Sequence, residues 1–146
     1  MARLQLALDV TDLAAAVDFY TRLFGTGPAR TRPGYANFAI EDPPLKLVLF
    51  EAEQGTALNH LGIEVDTAPE VAATEARLAD EGLATTGVED TTCCYATKTE
   101  TWVHDPDGAA WEVYVRTGDA EQLERAGAAD GACCAPAPVD VALGPA

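Results

Sequence analysis

Two cysteines stand side by side in the stretch DTTCCYATK, at Cys93 and Cys94. Neighbouring Cα atoms lie about 3.8 Å apart, whereas disulfides prefer about 4.4–6.8 Å, so a bond between these two sulfurs would be strained. The two thiols can still bind one soft atom placed between them. A pair of small buried hydrophobic side chains is the alternative, but successive strand residues point to opposite faces, so it would need both faces buried. A loop or bulge would let both sulfurs face one way.

The elements around this pair form a pattern that occurs twice. In the first half, RLQLALDV alternates as a strand, a helix from Leu13 to Phe24 is capped by Asp12 and stopped by Gly25, and the strands YANFAI and LKLVLFE follow. In the second half, NHLGIEV is a strand and the next helix has a capping box of Thr67 and Glu70. We therefore predict an α+β fold of two βαβββ modules.

The second module should end with three more strands, followed by a change in composition. The predicted strands are GLATTGVED, CCYATKTETWVH and AAWEVYV, with DPDG as a turn. We place the modules at about 1–53 and 58–116, in one domain spanning 1–116. After Arg116 we expect a short helix in GDAEQLERAG and then a flexible Ala/Gly/Pro-rich tail to residue 146, because that composition cannot bury a core.

Length and charge exclude several classes of function. The chain has 146 residues, enough for one domain, and a formal net charge of −15. Nucleic acids and anionic membranes need a basic surface, so we expect neither as a partner. No membrane-spanning run or targeting segment is present in the sequence, which predicts a cytoplasmic protein. In that reducing compartment the four cysteines should remain thiols.

The duplicated module, opened by DVTDLAAAVDFYTRLFG and closed by DPDGAAWEVY, resembles the vicinal oxygen chelate superfamily of glyoxalases, bleomycin resistance proteins and extradiol dioxygenases. The resemblance covers residues 3 to 116. It implies paired modules that curl into a half-barrel around a divalent metal, with ligands from the first and last strands of the modules. It leaves open whether the modules pair within one chain or are exchanged in a homodimer.

Carried onto this sequence, the resemblance implies that Gln5, His60 and Glu112 bind the metal. Gln5 and His60 are 55 positions apart, which is the offset between the modules, and Glu112 lies on the last strand. All three fall in the strand phase that points away from the helix-covered core. With an imidazole, a carboxylate and an amide as its ligands, the metal would keep open coordination positions, as in the facial arrangement of non-haem Fe(II). Taken singly, each has a simpler interpretation: a solvated amide, a hydrogen-bonded histidine and an exposed glutamate.

The vicinal thiols indicate which atom this protein could bind. Zinc or cadmium would want further thiolates or histidines nearby, whereas trivalent arsenic needs only two sulfurs and its own organic substituent. Within this superfamily, TTCCYATKT resembles the organoarsenical C–As lyases, Fe(II)-dependent dioxygenases that cleave the carbon–arsenic bond of trivalent methyl and aromatic arsenicals. That resemblance implies Gln5, His60 and Glu112 as iron ligands, Cys93 and Cys94 as the substrate clamp, and dioxygen as the co-substrate.

Three other features carry weaker expectations. Lys98 follows the clamp and could contact a substrate substituent or lower the pKa values of the thiols; a solvated lysine is the alternative. His104, before the DPDG turn, is expected at the rim of the site. Cys133 and Cys134 form a second vicinal pair in the tail, which we interpret as an auxiliary arsenic-binding or transfer site, against a tail without function.

Two other functions remain open. A protein that sequesters arsenicals or cadmium without turnover would need Cys93 and Cys94 but not the metal ligands. A glyoxalase-like metalloenzyme would need the metal ligands but not the thiols. The C–As lyase uses both sets.

Overall fold

The computed structural model describes residues 2–55, 58–104 and 106–123. These residues form eight strands and two helices, in the order βαβββ twice over, so the predicted α+β fold with two such modules is confirmed. The elements are β1 (Arg3–Val10), α1 (Leu13–Phe24), β2 (Arg30–Arg32), β3 (Tyr35–Ile40), β4 (Leu45–Glu51), β5 (Leu58–Glu64), α2 (Ala68–Asp80), β6 (Glu89–Cys93), β7 (Ala96–His104) and β8 (Ala110–Asp119). Neither helix is long and apolar enough to cross a membrane.

The chain divides into two compact units, the first of which spans Ala2–Glu64. Its strands follow the order β2–β3–β4–β1–β5. Strand β1 runs parallel to β4 and antiparallel to β5. Because β5 is the first strand of the second βαβββ module, it brings His60 into the same compact unit as Gln5.

Helix α1 packs on one face of the sheet in this first unit. It begins after Asp12, whose carboxylate accepts the Ala15 N–H at 2.9 Å, and it ends at Gly25, which has a left-handed φ of 67°. Its apolar residues and those of β1 pack against a buried strand cluster of Ala36, Phe38, Ile40, Leu45, Leu47 and Leu49. The leucine phase of β1 thus faces the core, as predicted, and Gln5 points to the other side.

The second compact unit begins at Val65 and is described as far as Leu123. Its strands follow the order β8–β7–β6, and α2 contacts β7 and β8. The predicted capping box is present, because the Thr67 side chain accepts the Glu70 N–H and the Glu70 side chain accepts the Thr67 N–H. Val71 and Leu78 are the buried residues of α2.

Some predicted boundaries are wrong. The strand expected to begin at Cys93 begins at Ala96, because Cys93 ends β6 and the next two residues form a turn. The expected strand GLATTGVED forms only an isolated bridge at Thr85 and the first residues of β6. The expected helix in GDAEQLERAG does not begin at Gly118, because β8 continues through Asp119 in pairing with β7. Cys133, Cys134 and the rest of the predicted tail lie outside the described residues.

Candidate metal and thiol site

Gln5 and His60 lie side by side in the first compact unit. Nε2 of Gln5 is 3.1 Å from Nε2 of His60, and both side chains are buried. In the β1–β5 pairing Gln5 lies opposite Gly62 and His60 lies opposite Ala7, so the two side chains are diagonal neighbours with only small residues across from them. The first two predicted metal ligands are therefore brought together.

A series of hydrogen bonds from Asp9 through Asn59 to His60 selects the tautomer of the imidazole. Nδ1 of His60 is 2.7 Å from Oδ1 of Asn59, and Nδ2 of Asn59 donates to Oδ1 of Asp9 at 3.1 Å. A carboxylate only accepts, so the Asn59 amide must turn its N–H group to Asp9 and its oxygen to His60. Nδ1 of His60 then carries the proton, and the lone pair lies on Nε2, on the side of Gln5.

This half of the predicted site fits a divalent metal. An imidazole binds a metal through an unprotonated nitrogen, which is what the bond to Asn59 leaves at Nε2. The Gln5 amide presents its nitrogen there, and half a turn about its last torsion would present Oε1, the atom that binds metals. Within the described ranges no group of three His, Cys, Asp or Glu side chains is placed to hold an ion. Of the three predicted ligands only His60 and Glu112 are of these residue types. That Gln5, His60 and Glu112 all bind one ion stays a prediction.

Glu112 lies in the second compact unit and is fully buried. Oε1 of Glu112 accepts from the Lys98 ammonium, which is also 3.3 Å from Oε2 of Glu100 and 5.2 Å from the centroid of the Tyr114 ring. Lys98 is itself only 4% exposed, so the interpretation of a solvated lysine is wrong. A role of Lys98 at the cysteines or the substrate stays a prediction.

The charges in this cluster perturb one another. Burial alone would lower the pKa of Lys98, but the carboxylates of Glu112 and Glu100 outweigh it and raise the pKa, so the ammonium stays charged. Burial raises the pKa of Glu100 to about 7; Glu112 adds to that shift, and Lys98 opposes it. One cation between two buried carboxylates thus neutralises much of the charge around Glu112.

The vicinal cysteines lie at a tight hairpin turn. Cys93 pairs with Ala96, and the two residues between them, Cys94 and Tyr95, have positive φ angles of 55° and 58°. Two consecutive positive φ angles define a type I′ turn, which Asn and Gly normally occupy. Cys93 is the last residue of β6 and only Cys94 lies in the turn, so the prediction that a loop or bulge carries the pair holds for Cys94 alone. The turn is also held by the end of the chain's described part, because Cys94 and Tyr95 donate their N–H groups to the carbonyls of Leu123 and Gln122.

The two sulfurs are close but not bonded to each other. Their Sγ atoms are 3.4 Å apart, well beyond the roughly 2.05 Å of a disulfide. Cys93 is 1% exposed, and its Sγ lies 3.6 Å from the carbonyl oxygen of Leu123. The pair thus consists of two adjacent sulfurs, one of them buried.

Cys93 and Glu112 belong to one face of the β8–β7–β6 sheet. Cys93 is paired with Ala96 and Trp102 is paired with Glu112, and Ala96 and Trp102 are an even number of residues apart on β7. Cys93 packs with the Trp102 ring in a buried cluster, and the indole N–H of Trp102 donates to Oε1 of Glu100 at 2.9 Å. Trp102 therefore connects the thiols to the charged cluster of Lys98, Glu100 and Glu112.

Several of these residues could not be identified from the sequence. Asp9, Asn59, Glu100 and Trp102 have ordinary strand positions, and only three-dimensional proximity gives them a place in the site. The alternation of β7 does put Lys98, Glu100 and Trp102 in one phase, which was a usable signal. His104 is half-buried at the end of β7, before the turn, at the strand end where it was expected.

Comparison with known proteins places the chain in a family. Residues 3–113 match the family described as Glyoxalase/Bleomycin resistance protein/Dioxygenase superfamily. The chain is 55% identical over 138 residues to a trivalent organoarsenical cleaving enzyme of Thermomonospora curvata, covering 93% of this chain and 90% of that protein. It is also 55% identical over 122 residues to the cadmium-induced protein CadI of Mycobacterium tuberculosis, covering 83% and 80%.

Solved structures with the same fold are more distant in sequence. An extradiol ring-cleaving dioxygenase from B. fuscum superimposes with a TM-score of 0.57 at 23% identity, over 82% of this chain and 33% of that one. The Mn(II)-bound glyoxalase from Novosphingobium aromaticivorans gives a TM-score of 0.58 at 18% identity, over 85% and 44%. At these identities the likeness concerns the fold. The match over residues 3–113 shows that the chain belongs to the glyoxalase, bleomycin resistance protein and dioxygenase superfamily.

Proposed function

We propose that this protein is an Fe(II)-dependent dioxygenase that cleaves the carbon–arsenic bond of trivalent organoarsenicals such as methylarsenite and aromatic arsenicals, releasing arsenite. The observation that carries the proposal is the position of two adjacent cysteine sulfurs, of which that of Cys93 lies on the same sheet face as Glu112, with Trp102 between them. A thiol pair that captures arsenic and a carboxylate that binds a metal would both be needed for this reaction. We place the protein in the cytoplasm, where its thiols stay reduced.

The separation of the sulfurs supports arsenic as the atom that they bind. An atom joined to both by bonds of about 2.3 Å, the length of a zinc–thiolate bond, would have an S–X–S angle of about 95° at the 3.4 Å separation. That angle is narrower than the tetrahedral angle that zinc prefers and suits a pyramidal centre with a lone pair, such as As(III). Each As–S bond would form as a thiol proton leaves with an arsenic hydroxyl as water.

For the metal, we propose that Gln5, His60 and Glu112 supply one amide oxygen, one imidazole nitrogen and one carboxylate. Three ligands of these types leave open positions for dioxygen, and Fe(II) bound there would supply dioxygen activation. The chain's own task is to hold these three side chains. Asn59 keeps the His60 lone pair on Nε2, and Lys98 holds the Glu112 carboxylate by an ion pair.

The overall reaction balances without an added reductant. Methylarsenite and one molecule of dioxygen give formaldehyde and arsenite, so the carbon and the arsenic–carbon bond provide the electrons. The thiols would fix the arsenic while the carbon group faces the metal, which replaces a bimolecular encounter by a positioned one. Capture also requires both cysteines in the reduced state.

The relatives support this proposal and also favour one alternative. One relative with 55% identity is named for cleaving trivalent organoarsenicals, whereas another with the same identity is named only for its induction by cadmium. A protein that sequesters arsenicals or cadmium would use Cys93 and Cys94 and turn nothing over. The buried Lys98–Glu112 pair argues against a role limited to the thiols, because sequestration alone would not require buried charges beside them.

The proposal is tested by reconstituting the purified protein with Fe(II) under anaerobic conditions, adding methylarsenite, and then admitting air. Arsenic speciation should show arsenite, with formaldehyde formed in equal amount, and neither should form without iron or without air. Tight binding of methylarsenite without release of arsenite in the complete mixture would favour the sequestering function and overturn the lyase.

A further inference from the structure

We infer that Asn59, itself oriented by Asp9, is a positioning residue that sets the tautomer and the direction of the His60 ring for metal binding. The inference rests on the proposed metal site, since it concerns what His60 must do there. Neither residue touches the expected position of the metal or substrate; both act through His60.

The carboxylate of Asp9 determines which atom donates in each hydrogen bond of the Asp9–Asn59–His60 series. If the Asn59 amide were reversed, its oxygen would face the oxygen of Asp9 and its N–H group would face Nδ1 of His60. The first contact would be repulsive at 3.1 Å, and the proton of His60 would have to move to Nε2, where it would block the lone pair. The carboxylate of Asp9 therefore selects the one tautomer that can bind a metal through Nε2.

A backbone irregularity brings these side chains together. In the β1–β5 pairing Ala7 lies opposite His60 and Leu8 lies opposite Leu58, so Asn59 is an extra residue in β5. Successive residues of a regular strand point to opposite faces, and a regular β5 would direct Asn59 away from His60. A bulge re-aims the side chain at this position. The irregularity thus places the Asn59 amide oxygen 2.7 Å from the imidazole of its neighbour.

Contacts on both nitrogens and on the ring orient the His60 imidazole. Nδ1 donates to Asn59, Nε2 is 3.1 Å from the Gln5 amide, and the Phe50 ring lies with its centroid 6.4 Å from that of the imidazole. Of these contacts, the one with Gln5 must change when a metal takes the lone pair, whereas the one with Asn59 can persist. Mutation of a residue that hydrogen-bonds the other ring nitrogen of a metal-binding histidine typically weakens metal affinity by about 10–100-fold.

The first measurement reads the tautomer directly and needs no metal. Nitrogen-15 NMR of the imidazole in the wild-type protein should show the proton of His60 on Nδ1 and a lone pair on Nε2. In Asn59→Ala the signal should move towards a mixture of tautomers, because Nδ1 has lost its acceptor. A wild-type ring protonated on Nε2 alone would overturn the inference, whatever the metal affinity.

The second measurement is the affinity for Fe(II), by anaerobic calorimetric titration. Asn59→Ala should bind Fe(II) about 10–100-fold more weakly than the wild type. A double variant, Asp9→Asn with Asn59→Asp, exchanges the carboxylate and the amide. It keeps the net charge and both hydrogen bonds, because the new carboxylate accepts from the new amide and from Nδ1 of His60, and it should recover most of the Fe(II) affinity. Asn59→Asp alone should not, because it sets two carboxylates about one hydrogen-bond length apart.

A matched control is Asn37→Ala. Asn37 is a half-buried strand asparagine of the same compact unit, and its amide donates to the Tyr35 hydroxyl at 2.9 Å. This variant should keep both the His60 tautomer and the Fe(II) affinity. If Asn59→Ala behaves as the control does, Asn59 has no positioning role and the proposed function is untouched. If the wild type shows the expected tautomer but binds Fe(II) no better than His60→Ala, the proposed function fails instead.

Discussion

Nε2 of Gln5 lies 3.1 Å from Nε2 of His60, in a buried position, although the two residues are 55 apart in sequence. The amide donates to the lone pair that a metal would take. Metal binding must therefore replace one hydrogen bond, typically worth about 1 kcal/mol, and rotate the Gln5 amide. The Gln5 amide is thus the buried hydrogen-bond partner of the nitrogen that we propose as a metal ligand.

We expect Lys98→Met to be strongly destabilising. It would leave Glu112 and Glu100 buried without their shared cation, and removing one partner of a buried ion pair typically costs about 3–5 kcal/mol. Urea unfolding should show this loss in the free energy of unfolding. Arg22→Met is the control: Arg22 forms an exposed ion pair with Asp18 at 3.0 Å, so the loss should be about 0.5 kcal/mol or less. Equal losses in the two variants would contradict the importance of the buried cluster.

The hairpin turn gives a prediction that isolates backbone strain. Tyr95→Gly and Tyr95→Ala both remove the ring, but only glycine adopts the φ of 58° without a steric penalty. The glycine variant should therefore be the more stable by about 1 kcal/mol, the cost expected for a left-handed residue with a side chain. In an unstrained strand the order would be reversed, since glycine is then less stable than alanine. Thermal unfolding of the two variants under one set of conditions decides which case applies.

The Cys93–Cys94 clamp should act as a single unit. Cys93→Ser and Cys94→Ser should each remove nearly all turnover, because one thiolate cannot chelate and a hydroxyl is a poor ligand for As(III). The double variant should be no worse than either single one. Steady-state arsenite release, with arsenical binding followed by titration of the remaining thiols, measures both effects.

The second cysteine pair provides the comparison. Cys133→Ser combined with Cys134→Ser should leave turnover nearly unchanged at saturating substrate, and a modest loss at low substrate would support a capture role. If this pair proves essential while Cys93 and Cys94 are dispensable, the substrate has been assigned to the wrong cysteines.

Periodicity was sufficient to predict most of the fold. Alternation and caps such as those of Asp12 and Thr67 are local properties, and both helices begin where these residues predict. The turn at Cys94 and Tyr95 was harder, because neither residue type favours positive φ, and the segment therefore looks like an uninterrupted strand. The strand β2, only three residues long, has too few positions to show a period.

The site was predictable only in part, for a related reason. The module offset indicated Gln5 and His60, and the structure brings them together. It could not indicate Asn59, whose part depends on an irregularity of the strand pairing. Nor could composition show that Lys98 is buried, since an isolated lysine in a strand is usually solvated.

The central claim is that the thiols bind the arsenical and a separate metal centre breaks its carbon–arsenic bond. The most direct test is arsenite release by His60→Ala, after anaerobic loading with Fe(II) and methylarsenite and exposure to air, with bound arsenical measured in the same sample. We predict that methylarsenite binding stays near the wild-type level while arsenite release is abolished. Release of arsenite by His60→Ala at the wild-type rate would contradict the account.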